Sequence, residues 1–339
     1  MIKYLGSKRQ LIPWIVKTIK ENFEHIDSAL DVFSGTSRVS LALKEQGIQV
    51  HANDHNTFAF HIANCYVATN KEELPKNIEK IIEHLNSLPP KAGFFTENYC
   101  LKARFFHPKN GEKVDAIRNE IDKLDLSQKI RSVLLVSLME AADRTDSTCG
   151  IQMAYLKSWA KRAHNDLSLR IPNLISDEIA KKDNQAYCLD AIEAAKTIKC
   201  DLAYLDPPYN QHSYRSNYHI WETLVQWDNP TMYGQVQKRM DCREIKSDFN
   251  SKKKFKLTLE TLISSLQTKY LVLSFSNEGF INKEELENML KPWGSVKVFS
   301  VEYKRYVGAQ IGIYNQQGLK VGNVKNLHNQ EFLYVARRF

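Results

Sequence analysis

Asp206, Pro207, Pro208 and Tyr209 place a carboxylate, a proline carbonyl and an aromatic ring side by side. These groups suit one task, holding a flat amine-bearing base while its exocyclic nitrogen attacks an electrophile. The Asp206 carboxylate can accept one amine hydrogen and the Pro207 carbonyl the other, drawing the nitrogen lone pair out of conjugation while Tyr209 stacks on the ring. An amine made tetrahedral in this way is a nucleophile. The competing reading is an ordinary polar turn, and the four residues alone do not separate the two.

The elements around them favour chemistry. Asp201 to Leu205 reads as a buried strand, and two prolines straight after it fix a rigid turn without backbone donors. Upstream, the run Ala29, Leu30, Asp31, Val32, Phe33 reads as a strand. It ends in the small-residue turn Ser34, Gly35, Thr36, Ser37, and a helical pattern through Val39, Ala42 and Leu43 follows. Strand, small turn, then helix brings backbone amides close to a ligand at the carboxyl edge of a parallel sheet. A second strand, Ile48 to Asp54, ends in an acid where a nucleoside fold commonly binds ribose hydroxyls. Tyr4, Gly6, Ser7 and Lys8 stand just ahead of a helical pattern over 10–22, where free amides and the Lys8 ammonium attract a carboxylate; a mobile tail is the competing reading.

The 339 residues, 43% hydrophobic and 25% charged, suffice for a catalytic core plus a second lobe. A formal net charge of +8 raises modestly the expectation of a polyanionic partner. The six cysteines, Cys65, Cys100, Cys149, Cys188, Cys200 and Cys242, show no paired spacing and read as reduced thiols without a metal site. No apolar run approaches the roughly 20 residues that span a bilayer, and the first ten residues carry no apolar signal region. A cytoplasmic protein is the expectation.

The succession K-Y-L-G-S-K, D-V-F-S-G-T-S, A-N-D and L-D-P-P-Y resembles the Dam-like class of DNA adenine methyltransferases, in the alpha-group order of motifs. The resemblance continues through N-Y-H-I-W-E-T-L, L-S-F-S-N-E-G-F-I, the closing Y-K-R-Y and E-F-L-Y-V-A-R-R. It implies S-adenosylmethionine as cofactor, held by Tyr4, Gly6 and Lys8, by Asp31, Phe33, Gly35, Thr36 and Ser37, by Asp54 at the ribose, and by Asp190 and Asp206. Asp206, Pro207, Pro208 and Tyr209 would form the catalytic turn. The family usually has a second glycine where Ser37 stands, and serine is small enough to serve. For Asp190 a helix N-cap competes with acceptance from the cofactor's adenine amine.

Residues 57–183 interrupt the alternation with helical patterns over 74–88 and 130–139. Phe94, Phe95, Tyr99, Lys102, Arg104, Phe105, Phe106, His107 and Lys109 form one aromatic and basic stretch; Tyr155, Lys157, Trp159, Lys161, Arg162 and His164 form another. Such mixtures suit phosphate contact beside an opened duplex, and equally an aromatic core beneath a solvated basic face. The resemblance makes 57–183 an inserted, mainly helical target-recognition lobe, with 1–56 and 184–339 as the catalytic domain.

After the turn, Asn210 to Asn217 reads as polar and short of core residues, Tyr218 to Trp227 as a helix, and Lys238 to Lys256 as a basic run or solvated loop. Strands are predicted at 271–276, 296–303 and 332–336, with a helix over 283–290 and a polar connection over 308–329. The whole predicts an α/β, Rossmann-like methyltransferase fold, its mostly parallel sheet closed by an antiparallel C-terminal edge. The activity this implies is transfer of a methyl group to N6 of a flipped adenine in double-stranded DNA, by a monomer without metal, in a restriction-modification system with a cognate endonuclease. Cytosine N4, RNA, or a non-catalytic nucleic-acid-binding role are the alternatives.

Overall fold

The computed structural model describes residues 1–148, 150–180, 183–304, 313–314, 320–322 and 328–339. Cys149, most of the 308–329 connection, and Arg305 and Tyr306 of the Y-K-R-Y motif lie outside the described residues.

Seven strands form the central sheet: β1 (Ser28–Asp31), β2 (Gln49–Asn53), β3 (Gln185–Tyr187), β4 (Leu202–Leu205), β5 (Tyr270–Ser276), β6 (Gly294–Lys304) and β7 (His328–Arg338). Their order is β3-β2-β1-β4-β5-β7-β6. Every pairing from β3 to β5 is parallel, and β7 runs antiparallel to both its neighbours. The predicted C-terminal pair is present, with β7 inserted between β5 and β6.

Continuous apolar runs explain the centre. All four residues of β4 and six of seven in β5 are buried, as strands covered on both faces must be. Successive residues alternate faces. Leu30, Ala203 and Leu271 pack beneath α7 (Ala191–Thr197), α9 (Phe255–Ser265) and α10 (Lys283–Leu290). Ala29, Leu202 and Val272 face the opposite layer of α1 (Ile12–Asn22), α2 (Arg38–Lys44) and α3 (Thr57–Tyr66).

A separate core fills the helical region. α3 packs along α6 (Gln128–Arg144), and α4 (Ile78–Ser87), α5 (Pro108–Lys123) and α8 (His219–Gln226) join them through Ile82, Leu85, Ile117, Leu138, Trp221 and Leu224. α8 follows the 206–209 turn in sequence, so the core of the 57–183 region is shared with it. Phe95, Tyr99, Phe105 and Phe106 are wholly inside this core, which gives those four the packing role, while Arg104 stays at the surface over the Trp159 ring.

Candidate active site

β1 and β4 are neighbours from which the strand order runs outward in opposite directions, so the crevice outside their carboxyl ends is the natural ligand site of a parallel sheet. Asn53 ties the rim together. Its amide donates to the carbonyls of Val32 (3.1 Å) and Leu189 (3.2 Å) and its oxygen accepts from the Leu189 N–H (3.0 Å). Asp54 accepts from the Gly35 N–H at 2.9 Å through one oxygen and from the Asn56 N–H at 2.8 Å through the other. Burial lifts its carboxyl above the ordinary range, opposed by those bonds. Gly35 has φ +51°, and a Cβ there would meet the Tyr4 ring at 3.3 Å, so both the backbone twist and the close approach of Tyr4 call for glycine.

Tyr4 is itself clamped. Its ring stacks on Tyr218 (centroids 4.7 Å apart) and on Tyr214 (5.1 Å), and the Leu5 N–H donates to the Tyr218 hydroxyl at 2.5 Å. The N-terminal segment is thereby held against the residues that follow the 206–209 turn. The stretch 210–217 is polar as read but less exposed: its last four residues form a short helix, with Arg215 and Asn217 buried.

At the end of β4, Lys8 Nζ lies 3.0 Å from Oδ1 of Asp206 and 2.8 Å from Oε1 of Glu331. Glu331, on β7, is fully buried, and it also accepts from the Ser274 hydroxyl at 2.6 Å. Burial works against the Lys8 ammonium, but the two carboxylates outweigh it and hold the lysine charged beyond its usual range. Burial pushes Asp206 up, Lys8 pulls it back and Glu331 pushes again, leaving its carboxyl at about 6. The group is therefore an ionised acceptor at neutral pH, with one oxygen engaged by Lys8.

A cavity of about 510 Å³ opens beside this pair, within the range of small-molecule sites. Tyr4, Gly6, Ser7 and Lys8 form one wall; Asp31, Phe33, Gly35 and Thr36 line the β1 side; Asp54, Asp190 and Asp206 border it at the other strand ends. Asp31 accepts from the Ser40 hydroxyl at 2.6 Å through Oδ2, while its buried Oδ1 has no protein partner. Burial raises its carboxyl to about 7. The Ser7 and Ser34 hydroxyls are likewise buried without partner. Orphaned polar atoms on a cavity wall fit a ligand carrying its own donors and acceptors. Asp190 accepts from the Ile192 N–H at 2.9 Å as the N-cap of α7 and also faces the cavity.

Three predicted residues stand off the wall. Ser37 is fully buried at φ +56°, starting α2, its hydroxyl unpartnered. Pro207 is buried behind Pro208, and the Tyr209 ring packs against Phe275, centroids 5.4 Å apart. The cavity also has a roof that sequence reasoning passed over, formed by residues 244–250. Phe249 meets Phe33 edge-on at 5.1 Å, and the Asn250 amide donates to the carbonyls of Asn210 (2.8 Å) and His212 (3.2 Å). That strap falls within the predicted basic run, whose Lys252, Lys253 and Lys254 are exposed.

Among the described residues no group of three or more His, Cys, Asp or Glu side chains is placed to hold a metal, and no helix is long and apolar enough to cross a membrane.

The profile of a family described as D12 class N6 adenine-specific DNA methyltransferase matches residues 4–289. The type II methyltransferase M.NlaIII of Neisseria lactamica is 31% identical over 316 residues, covering 90% of this chain and 92% of its own. The modification methylase StsI of Streptococcus sanguinis (31%) and the type II methyltransferase M.FokI of Planomicrobium okeanokoites (30%) also match 90% of this chain. The chain spans about half the length of these two, 49% and 50% respectively. Crevice, 206–209 turn and sequence relatives agree: the chain belongs to the D12 class of N6 adenine-specific DNA methyltransferases.

Proposed function

We propose that this protein transfers a methyl group from S-adenosylmethionine to the N6 amine of an adenine swung out of double-stranded DNA, as the modification enzyme of a type II restriction-modification system. The observation that carries the reading is the Lys8–Asp206 pair at the edge of the cavity, an acceptor at about 6 beside a lined pocket with orphaned polar atoms.

The residues fit the cofactor's parts. Asp31 and the Ser7 and Ser34 hydroxyls offer unpartnered oxygens to an amino-acid end, Asp54 offers its remaining lone pairs to ribose hydroxyls, and Phe33 with Phe249 offers ring faces and edges to a purine. When bound, the cofactor supplies a sulfonium-activated methyl group. Asp206, with Oδ1 engaged by Lys8, keeps Oδ2 for one hydrogen of the target amine, and the Pro207 carbonyl takes the other. Tyr209, steadied by Phe275, supports the ring of the base. The work of the chain is alignment and exclusion of water, because the methyl is already activated.

The 57–183 region, with α8, serves as the target-recognition lobe, and the exposed Lys157 and Lys161 beside Arg104 and Trp159 give it cations for the phosphate backbone. The protein acts as a monomer in the cytoplasm, alongside a cognate endonuclease. Incubating it with unmethylated DNA and labelled S-adenosylmethionine tests the reading. N6-methyladenine in one short context supports it, and label on cytosine or RNA alone overturns it.

A further inference from the structure

A fully buried glutamate on a central strand is costly unless its charge is answered. Glu331 is answered by Lys8 at 2.8 Å, Ser274 at 2.6 Å and, more loosely, the Tyr303 hydroxyl at 3.4 Å. None of these contacts is needed to form the sheet, since β7 pairs along its length with β5 and β6 through the backbone. What the glutamate does is fix where the Lys8 ammonium sits. The lysine stem comes from the N-terminal segment and is itself buried, and Glu331 and Asp206 bracket its nitrogen.

Resting on the methyltransferase reading above, we infer that Glu331 is a positioning residue for the transfer. It holds the Lys8 ammonium on Oδ1 of Asp206, and so leaves Oδ2 as the oxygen that meets the acceptor amine. The bracket also sets charge. Two carboxylates share one ammonium, so Lys8 cannot neutralise Asp206 fully, and the aspartate keeps the acceptor strength that a one-to-one ion pair would take from it. Among the described residues, Asp31 on β1 also bears on Asp206; Tyr4, Tyr204, Tyr209, Tyr214 and Tyr303 are all pushed upward by burial and stay neutral.

The test compares Glu331→Gln, Glu331→Asp and Ser274→Ala with the wild type in the full chain. It follows kcat against pH, KM for DNA, and cofactor affinity by calorimetry. Glu331→Gln is expected to lower kcat about 10- to 100-fold with both affinities within about threefold, the pattern of lost transition-state alignment. Its acid limb moves to lower pH, because the carboxylate that pushed Asp206 up is gone. Ser274→Ala, which leaves the Glu331 charge less well shielded, moves the limb the other way, and Glu331→Asp retains most of the rate. Unchanged kcat in Glu331→Gln, or a loss of rate with the acid limb fixed and cofactor affinity falling in step, overturns the inference in favour of a purely structural glutamate. Should Glu331→Gln fail to fold, Ser274→Ala decides by whether its limb moves. Wild-type protein that methylates no adenine overturns the functional reading and this inference together, whereas an active wild type with unaffected variants removes the inference alone.

Discussion

Asp54 and Gly35 are joined by a 2.9 Å hydrogen bond from the glycine N–H to the carboxylate. The acid ending the second strand and the turn ending the first are thus one object. Its removal separates binding from catalysis. Asp54→Ala is expected to weaken cofactor binding at least about tenfold and to cost about 1–3 kcal/mol of stability, because a buried donor loses its partner. Calorimetric titration and thermal melts check both.

Asp206→Ala should lower transfer about 10³-fold or more while DNA binding persists, since the proposed mechanism has the residue act on the amine and not on the duplex. Tyr209→Ala should lose only about tenfold, because a ring is removed but no bond to the amine, and Tyr209→Phe should stay close to wild type. Single-turnover rates and DNA-binding isotherms measured together test this order. A normal turnover for Asp206→Ala would sink the mechanism.

The pH profile follows from Asp206 at about 6. On the proposed mechanism transfer needs the ionised carboxylate, so kcat should be level above neutrality, halve near pH 6, and fall about tenfold per pH unit below that. A flat profile down to pH 5 would mean that another group accepts the amine hydrogen.

Asp31 makes the opposite trade. Its carboxyl rises from 3.8 to about 7 on folding, so its charged form opposes the folded state, fully above pH 7, and the penalty fades as pH falls from 7 toward 4. Asp31→Asn should therefore stabilise the cofactor-free protein by about 1–3 kcal/mol at pH 8 and progressively less in acid, while weakening cofactor binding. Melting temperatures across that pH range, paired with calorimetry, give the answer.

Ser37 takes a left-handed backbone with its hydroxyl buried and unpartnered. Ser37→Gly relieves both strains and should raise stability by about 0.5–1 kcal/mol, after the extra freedom glycine gains in the unfolded chain is counted. Cofactor affinity should not change, because the side chain lies behind the cavity wall. A drop in affinity would place the hydroxyl at the ligand.

The sequence made the 206–209 turn and the strand–turn–helix units legible because both depend on near neighbours. Proline pairs, a small-residue turn and apolar runs act within a few residues, so β1, β2, β4 and β5 fall where the patterns put them. What stayed hidden depends on contacts across the whole chain. Nothing local marks Glu331 as the partner of Lys8, and Tyr214 looks like part of a polar loop until Tyr4 is laid against it. The roof over the cavity was obscured by the lysines beside it, which colour the segment basic while Phe249 and Asn250 turn inward. In the stretch from Phe94 to Lys109, four aromatics went to the core and left the cations outside, a division that composition does not reveal.

β7 lies between β5 and β6 although both precede it in the chain. During synthesis the ribosome releases those two strands before the one that must separate them, so a growing chain carries an open sheet edge and a Lys8 without its glutamate. On the proposed mechanism, a chain lacking β7 keeps the loops around the cavity yet leaves Lys8 without Glu331 to set it against Asp206, and such fragments should be silent on DNA.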